Sequence, residues 1–232
     1  KIKFDKYKYE KSVIITGNEI NEYFKVLLSA LKQIFPDLAE KTKHIGHGML
    51  RLPEGKMSSR TGQVITVESL IQKAKEMILE KLKERDFSDS EKDVVAEQVA
   101  IASIKYSILK QSIGSNIIYD FDKSISFEGD SGPYLQYSFA RAHSVLEKAA
   151  VENILPDPHA FSPEIFEIEK LLLKFPEVVL RSSEEYEPHH IATYLIEVAR
   201  AFNSFYGNNL IIDKTDKTSS YKVALTLAFA EV

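Results

Sequence analysis

Helix-start signals recur along the last two thirds of the chain, and they limit the possible folds more than any other sequence feature. Thr66 precedes apolar residues at helical spacing, and Ser88 with Glu91 forms a capping box. We expect residues 68–232 to form an antiparallel α-helical bundle of six helices, with a non-helical stretch at 114–130. The other predicted boundaries are starts at Ser131–Pro133, Ser162–Pro163, Pro176 and Pro188, and an end at Gly207 for the helix that Pro188 opens.

The first 67 residues follow a different pattern, in which short β-branched runs surround a helix. SVIIT at 12–16 predicts a strand that stops at Gly17, and apolar residues at helical spacing then continue to Pro36. Further extended stretches are predicted at 43–52 and, as VITV, at 64–67. The change of pattern predicts a domain boundary near residue 67.

Composition excludes several protein classes. With 44% hydrophobic residues, 9 Gly and 8 Pro among 232 residues, the chain is typical of a globular protein. It has no uncharged apolar run of about 18 residues and no secretory leader, so we expect no membrane partner. Because it has no Cys, disulfides and Cys-ligated metals are excluded, and a cytoplasmic location is expected.

Charge is distributed unevenly along the chain. Residues 1–66 contain 12 basic and 7 acidic residues, a net charge of +5, whereas residues 67–232 contain 18 and 27, a net charge of -9. Phosphate contacts are therefore expected mainly near the basic segment. Any RNA bound by the rest of the chain would have to be held by local patches and stacking.

The segment GKMSSRTG has the composition of a phosphate-binding loop. Such a cluster of cations and hydroxyls can neutralise a triphosphate whose charge grows during transfer. The same residue types are also common on solvated loops, so both interpretations stand. Gly55 and Gly62 flank the cluster, which consists of Lys56, Ser58, Ser59, Arg60 and Thr61.

A second candidate surface combines aromatic rings with polar side chains. Tyr134, Tyr137 and Arg141 are spaced to share one helical face, which suits the stacking of unpaired RNA bases. The alternative is that the stripe belongs to the core, as we expect for Phe202. The candidate RNA contacts are Tyr134, Gln136, Tyr137 and Arg141 on the third predicted helix and Asn203 and Tyr206 on the fifth.

The order of these segments resembles the arginyl-tRNA synthetases, a family of class I aminoacyl-tRNA synthetases. GKMSSRTG is followed by FDKSISFEGDSGPYLQYSFARAHSVL and then by YLIEVARAFNSFYGNN, and GPYLQYSFARAHS is the most specific piece. The resemblance extends from about Ile14 to the end of the chain. It implies that residues 1–67 are the C-terminal part of a doubly wound, Rossmann-like α/β nucleotide-binding catalytic domain. Residues 68–232 would be a DALR-type α-helical anticodon-binding domain, which makes the fold mainly α.

The resemblance also implies a reaction and its participants. ATP, with Mg²⁺, and arginine would give arginyl-adenylate and pyrophosphate, and the arginyl group would then move to arginine tRNA; DNA is not an expected partner. Lys56 matches the first lysine of the KMSKS loop and would neutralise the phosphates, with Met57, Ser58 and Ser59 at the same ATP site. The usual second lysine is Ser59 here, and Arg60 stands one place later. A guanidinium there need not reach the same oxygens, so its catalytic role is open.

Gly17 and Glu19 fall where class I synthetases carry a segment that contacts adenosine. Glu19 could accept a hydrogen bond from a ribose hydroxyl. Ile20 and Tyr23, however, stand where the arginyl family usually has Gln and His. A simple strand-to-helix turn explains Gly17 equally well.

The tetrapeptide HIGH at 44–47 looks like the other signature of class I synthetases. That motif acts on phosphates after a strand and at the start of a helix, but no helix cap follows His47. His44 and His47 should point to opposite faces of an extended segment, so we expect neither catalysis nor a metal site there. The true motif is expected before Lys1, and the chain is therefore predicted to be a fragment without ATP–pyrophosphate exchange of its own.

Two other interpretations remain open. The acidic helical part also fits a synthetase-derived protein-interaction module that has lost its affinity for tRNA. Another class I synthetase, such as the cysteinyl enzyme, has a related helical domain, although the lack of Cys argues against that zinc-dependent family. The spacing of the last four histidines suggests no catalytic or metal site, and we expect structural or surface roles for His143, His159, His189 and His190.

Overall fold

The computed structural model describes residues 1–53 and 66–232, which pack as two compact units. The described part of the N-terminal unit contains residues 1–53 and 111–119, and that of the helical unit contains residues 66–110 and 120–232. Within the described ranges, no helix is both long enough and apolar enough to span a bilayer.

The N-terminal unit is built on a β–α–β crossover. Its two longer strands are parallel, a pairing that requires a crossover connection, here mainly a helix. Phe24 on that helix is buried and stacks on the ring of His44, with 3.8 Å between centroids. The elements are α1 (Ile2–Tyr7), β1 (Ser12–Gly17), a 3-10 turn (Asn18–Ile20), α2 (Asn21–Ile34), α3 (Pro36–Glu40) and β2 (Thr42–His47).

A short returning segment, 111–119, completes this unit. Gly48 allows the close approach, because a Cβ there would overlap the carbonyl oxygen of Ser115. The Met49 amide then donates to Asn116 Oδ1 over 3.1 Å. This packing supports a second parallel pair, between β3 (Leu50–Arg51) and β4 (Ile117–Ile118).

Several buried clusters hold the described part of the helical unit together, and two of them show how its helices are joined. The first joins α4 to α5 through side chains such as Ile78 and Ala100, which are fully buried. The second joins α7, α8, α10 and α11, and in it Phe202 stacks on Phe229 with 4.1 Å between ring centroids. The helices are α4 (Val67–Leu82), α5 (Asp89–Leu109), α6 (Phe121–Ser124), α7 (Gly132–Val151), α8 (Glu167–Leu172), α9 (Phe175–Glu185), α10 (His189–Asn208) and α11 (Ser219–Glu231).

Two predicted caps and one predicted helix start are confirmed. Thr66 accepts a hydrogen bond from the Ser69 amide at the start of α4, and Ser88 forms the capping box with Glu91 at the start of α5. Ser131 accepts from the amide of Tyr134 at the start of α7. Each cap satisfies a helix amide that would otherwise lack a partner.

The predicted helix start at Ser162–Pro163 is wrong, because α8 begins only at Glu167. The Ser162 hydroxyl donates to the carbonyl of Glu164, which forms a turn instead of a cap. The backbone amide at the actual start, that of Phe166, donates to the Glu169 carboxylate. A glutamate already inside the helix therefore sets the boundary.

The predicted helix end at Gly207 is also wrong, since Gly207 lies within α10. The amide side chains of Asn208 and Asn209 donate to the carbonyls of Ser204 and Phe205. These bonds satisfy the last turn without a left-handed glycine.

Two smaller predictions also need correction. The stretch at 114–130, expected to be non-helical throughout, contains the short helix α6. Val67, expected at the end of a VITV strand, is instead the first residue of α4; residues 64 and 65 lie outside the described ranges.

The core of the helical unit can be tested with a matched pair of phenylalanines. Phe202→Ala should lower the free energy of unfolding by about 3–5 kcal/mol, because it removes a fully buried ring and leaves a cavity. Phe161→Ala should change it by less than about 0.5 kcal/mol, because Phe161 is 66% exposed. Urea unfolding followed by circular dichroism measures both, and equal losses would contradict the packing described here.

Candidate functional site

Five of the six predicted RNA-contact residues meet where α7 and α10 face each other. Tyr134, Tyr137 and Arg141 lie on α7, and Asn203 and Tyr206 lie on α10. The spacing of three or four residues along each helix places each set on one face. We call these five residues the α7–α10 cluster.

The guanidinium of Arg141 is at the centre of the α7–α10 cluster. It lies 4.6 Å from the ring centroid of Tyr137 and 4.8 Å from that of Tyr206. Nη2 donates to the Tyr137 hydroxyl over 2.6 Å, and Nη1 donates to Oδ1 of Asn203. The cation is thus held by two aromatic rings and an amide, with no carboxylate among these partners.

Asn203 connects the two helices through both ends of its amide. Oδ1 accepts from Arg141, while Nδ2 donates to the hydroxyl of Tyr134 over 3.0 Å and to Oγ of Ser138 over 2.7 Å. Ser138 is fully buried and was not among the predicted site residues. Its position one turn after Tyr134 in GPYLQYSFARAHS is the sequence signal that could have identified it.

Solvent exposure distinguishes the aromatic residues that could stack on RNA bases from those that belong to the core. Tyr137 and Tyr206 are 47% and 41% exposed, whereas Phe202 is fully buried, which confirms its predicted place in the core. Tyr137, Arg141 and Tyr206 line a cleft of about 670 Å³, together with Lys148 and residues 209–212. The cleft therefore offers two half-exposed aromatic rings and two cationic side chains.

Gln136 has different partners from the other predicted residues. Its Nε2 donates to the carbonyl oxygen of Gln98 on α5 over 3.5 Å. Its Oε1 is buried without a hydrogen-bond partner. The structure thus joins Gln136 to the α5 side of α7, and its predicted contact with RNA stays a prediction.

Gly17 and Glu19 lie in the N-terminal unit, where β1 ends. Gly17 pairs with His47 and has an extended backbone, so it needs no left-handed conformation. A Cβ at Gly17 would lie 3.0 Å from the Glu19 carboxylate, which itself is exposed. Contact of these residues with adenosine stays a prediction.

The HIGH tetrapeptide lies within β2, as predicted, and does not start a helix. His44 stacks on Phe24, and its Nε2 lies 2.7 Å from the hydroxyl of Thr16. His47 uses Nδ1 in a 2.8 Å contact with the carbonyl oxygen of Gly48. Both imidazoles thus have local structural partners.

The residues predicted for phosphate binding lie outside the described ranges. Their roles therefore stay predictions. They are Lys56, Met57, Ser58, Ser59 and Arg60.

Comparison with known proteins identifies the family. Residues 1–121 match the catalytic domain of class I tRNA synthetases of the arginine (R) type, and residues 135–232 match the DALR anticodon-binding domain. The chain belongs to the arginyl-tRNA synthetase family. Four residues of the α7–α10 cluster lie within the DALR match, and Tyr134 directly precedes it.

Relatives from distant organisms agree with this family. The chain is 34% identical to the arginine–tRNA ligase of Halobacterium salinarum over 99% of its own length, and 34% identical to that of Clostridium kluyveri over 91%. It spans only 37% and 38% of those two proteins. The arginyl-tRNA synthetase of Thermus thermophilus is similar in structure, with a TM-score of 0.80 and 26% identity over 96% of this chain and 38% of that one.

The arginyl-tRNA synthetase fold extends to a more distant relative. The Plasmodium falciparum enzyme has a TM-score of 0.77 at 20% identity, over 96% of this chain and 38% of that one.

The family matches and the packing divide the chain at different places. The two family matches leave residues 122–134 between them, whereas packing groups residues 66–110 with the helical unit. The boundary predicted near residue 67 stays a prediction.

The Asn203 bridge can be tested by an isosteric change. Asn203→Leu should lower the free energy of unfolding of the helical unit by about 1–3 kcal/mol, because the buried Ser138 hydroxyl and the Arg141 guanidinium lose a partner. Asn208→Leu is the comparison on the same helix. Its hydrogen bonds to Ser204 are exposed to water, so their loss should cost less than that of the part-buried bonds of Asn203. Urea denaturation of both variants gives the comparison, and equal stabilities would refute the bridge.

Proposed function

We propose that the chain supplies the C-terminal part of an arginine–tRNA ligase. In this proposal residues 1–67 belong to the catalytic domain, and residues 68–232 recognise the anticodon of arginine tRNA. The substrates of the ligase are arginine, ATP with Mg²⁺, and tRNA, and the reaction takes place in the cytoplasm. The observation that carries the proposal is the Arg141 guanidinium held between two half-exposed tyrosine rings at an open cleft.

The chemistry of the cleft fits unpaired bases. Every base has a π-face, so the exposed rings of Tyr137 and Tyr206 can stack on it whatever its edge. Guanidinium has five N–H donors, and Arg141 uses one toward Tyr137 and one toward Asn203. The others can serve a base edge or a phosphate, and Lys148 adds a second cation at the cleft.

The net charge of the helical part favours recognition of RNA by local contacts in this cleft over long-range electrostatic attraction. Residues 67–232 carry a net charge of -9, which repels a polyanion at long range. A few local cations must therefore make the phosphate contacts, and stacking must supply much of the affinity. Binding through this surface should depend only shallowly on salt compared with a basic RNA-binding protein.

In the catalytic part, we assign Lys56 to the phosphates of ATP and Gly17 with Glu19 to its adenosine. Met57, Ser58 and Ser59 complete the proposed KMSKS-like loop, and Arg60 takes the place of its second cation. A loop of this kind acts on charge that develops during transfer of the adenylyl group.

A synthetase-derived interaction module is the second candidate function. The net charge of -9 favours it, because such a surface disfavours nucleic acid in general. In that case the α7–α10 cluster would be only a structural connection between helices. Binding of tRNA separates the two functions.

The first prediction from this proposal concerns stacking. Tyr137→Ala should weaken the binding of arginine tRNA by about 1–3 kcal/mol, because it removes one stacking ring. Tyr137→Phe should weaken binding less, since it keeps the ring and loses only the hydroxyl that accepts from Arg141. Titration of labelled tRNA by fluorescence anisotropy at several salt concentrations provides the measurement.

The matched control for that titration is Phe139→Ala. Phe139 lies on the same helix and is 48% exposed, close to the 47% of Tyr137, but it packs on His143 and does not line the cleft. A tRNA with a different anticodon is the second control and should bind more weakly. Equal binding of the two tRNAs, or equal loss in the Phe139 and Tyr137 variants, would favour the interaction module.

The second prediction concerns the loop. In a ligase that carries this sequence, Lys56→Ala should lower kcat far more than it raises the KM for arginine, because the lysine acts mainly in the transition state. Steady-state aminoacylation kinetics test this. A change in KM alone would assign Lys56 to ground-state binding instead.

A further inference from the structure

Two histidines and two glutamates converge where α9 turns into α10. Glu187 lies in the turn, and His189 and His190 are the first two residues of α10. One ligand atom from each of these three side chains lies within 4.8 Å of the other two. Glu185, at the end of α9, is a fourth neighbour of the group, with Oε2 2.6 Å from Nε2 of His190.

The distances in this group suit a small ion. Nδ1 of His189 lies 3.1 Å from Oε2 of Glu187, and Nε2 of His190 lies 3.8 Å from the same oxygen. A tetrahedral metal with bonds of about 2.0–2.1 Å keeps its ligand atoms about 3.3 Å apart. The two nitrogen–oxygen distances in this group, 3.1 and 3.8 Å, therefore lie on either side of the distance that a tetrahedral metal requires.

His189 has an unused polar atom directed toward this group. Its Nδ1 is buried and makes no hydrogen bond, despite lying 3.1 Å from the Glu187 carboxylate. A buried nitrogen without a hydrogen bond is costly, and coordination of an ion would satisfy it.

The turn holds its backbone in place before any ion arrives. The Glu187 amide donates to the carbonyl of Ser182 over 3.0 Å, and the Ser182 hydroxyl donates to the carbonyl of Glu187 over 2.9 Å. Ser182 is itself buried. Tyr186 adopts a left-handed conformation with φ of 65°, which ends α9 and directs the chain toward α10.

We propose that Glu187, His189 and His190 bind one divalent transition-metal ion of the zinc class. Glu185 is the fourth ligand, and its carboxylate binds the ion in place of its contact with Nε2 of His190. Imidazole nitrogens favour zinc, nickel or copper over magnesium, which prefers oxygen ligands. The protein has no Cys and only six His, two of which are in this group. The bound ion would join the end of α9 to the start of α10.

Charge at the site is favourable for a cation. The N-terminus of α10 contributes a partial positive charge of about half a unit, which alone would repel an ion. Glu185 and Glu187 supply two negative charges, and the one lysine or arginine paired with them in the described part of the chain is Arg181, 3.1 Å from Glu185. The carboxylates outweigh the dipole, so the group can accept a divalent ion.

The test is a titration of the chelator-treated 232-residue chain with Zn²⁺, followed by isothermal titration calorimetry. We expect one saturable equivalent, and Co²⁺ in its place should give the visible absorption of a tetrahedral site. His189→Gln, His190→Gln and Glu187→Gln should each remove this equivalent. Glu185→Gln should weaken the affinity, because an amide replaces the fourth, negatively charged ligand.

His143→Gln is the matched control, because His143 is exposed on α7 and packs on Phe139 instead. It should bind Zn²⁺ as the unchanged chain does. Zn²⁺ should also raise the Tm of the unchanged chain and of this control, but not that of Glu187→Gln, whose side chain keeps its size. Circular dichroism confirms that each variant is folded. Lack of a saturable equivalent in the unchanged chain, or its persistence in a folded Glu187→Gln or His190→Gln variant, would overturn the proposal.

Discussion

The amide of Asn203 determines how α7 and α10 meet, and the candidate RNA surface depends on it. Its oxygen accepts from Arg141, and its nitrogen donates to two hydroxyls one turn apart on α7. Three partners on one helix fix both the rotation and the axial position of the other. Phe202, the preceding residue, is then directed into the core. Because α10 is fixed in this way, the Tyr206 ring lies beside the guanidinium and next to solvent.

This arrangement explains how an acidic helical unit can present a cation to a ligand. Arg141 is held by rings and neutral oxygens, so its charge is not cancelled by a carboxylate in the α7–α10 cluster. The hydrogen bonds that join Asn203 to Arg141 and Tyr134 are part-buried, and the fully buried hydroxyl of Ser138 completes this network. The charge at the cleft can therefore be positive although the net charge of the helical unit is negative.

Sequence predicted best the features that depend on neighbours along the chain. The caps at Thr66, Ser88 and Ser131 were predictable because donor and acceptor are three residues apart. The predicted helix end at Gly207 was wrong because the side chains of the two asparagines after it donate to the carbonyls of the last turn. The frequency of glycine at helix ends does not reveal this alternative. Ser138 was missed because its partner Asn203 is 65 positions away. Sequence spacing does not suggest the metal group proposed at His189 and His190, because neighbouring residues on a helix usually diverge, and the conformation of the preceding turn brings the carboxylates to them.

The returning segment 111–119 makes the two units interlaced in sequence. The helical unit is interrupted by nine residues that pack in the N-terminal unit, where Gly48 leaves room for Ser115. A single cut before the helical unit would leave segment 111–119 attached to the helical unit and separated from the rest of the N-terminal unit. Exchange of this unit between homologues would have to carry a foreign loop into the host domain, and the loop would fit only a host with glycine at the receiving position. Recombination between such proteins is therefore constrained by the surface of the domain that receives the loop, and not only by the helices being exchanged.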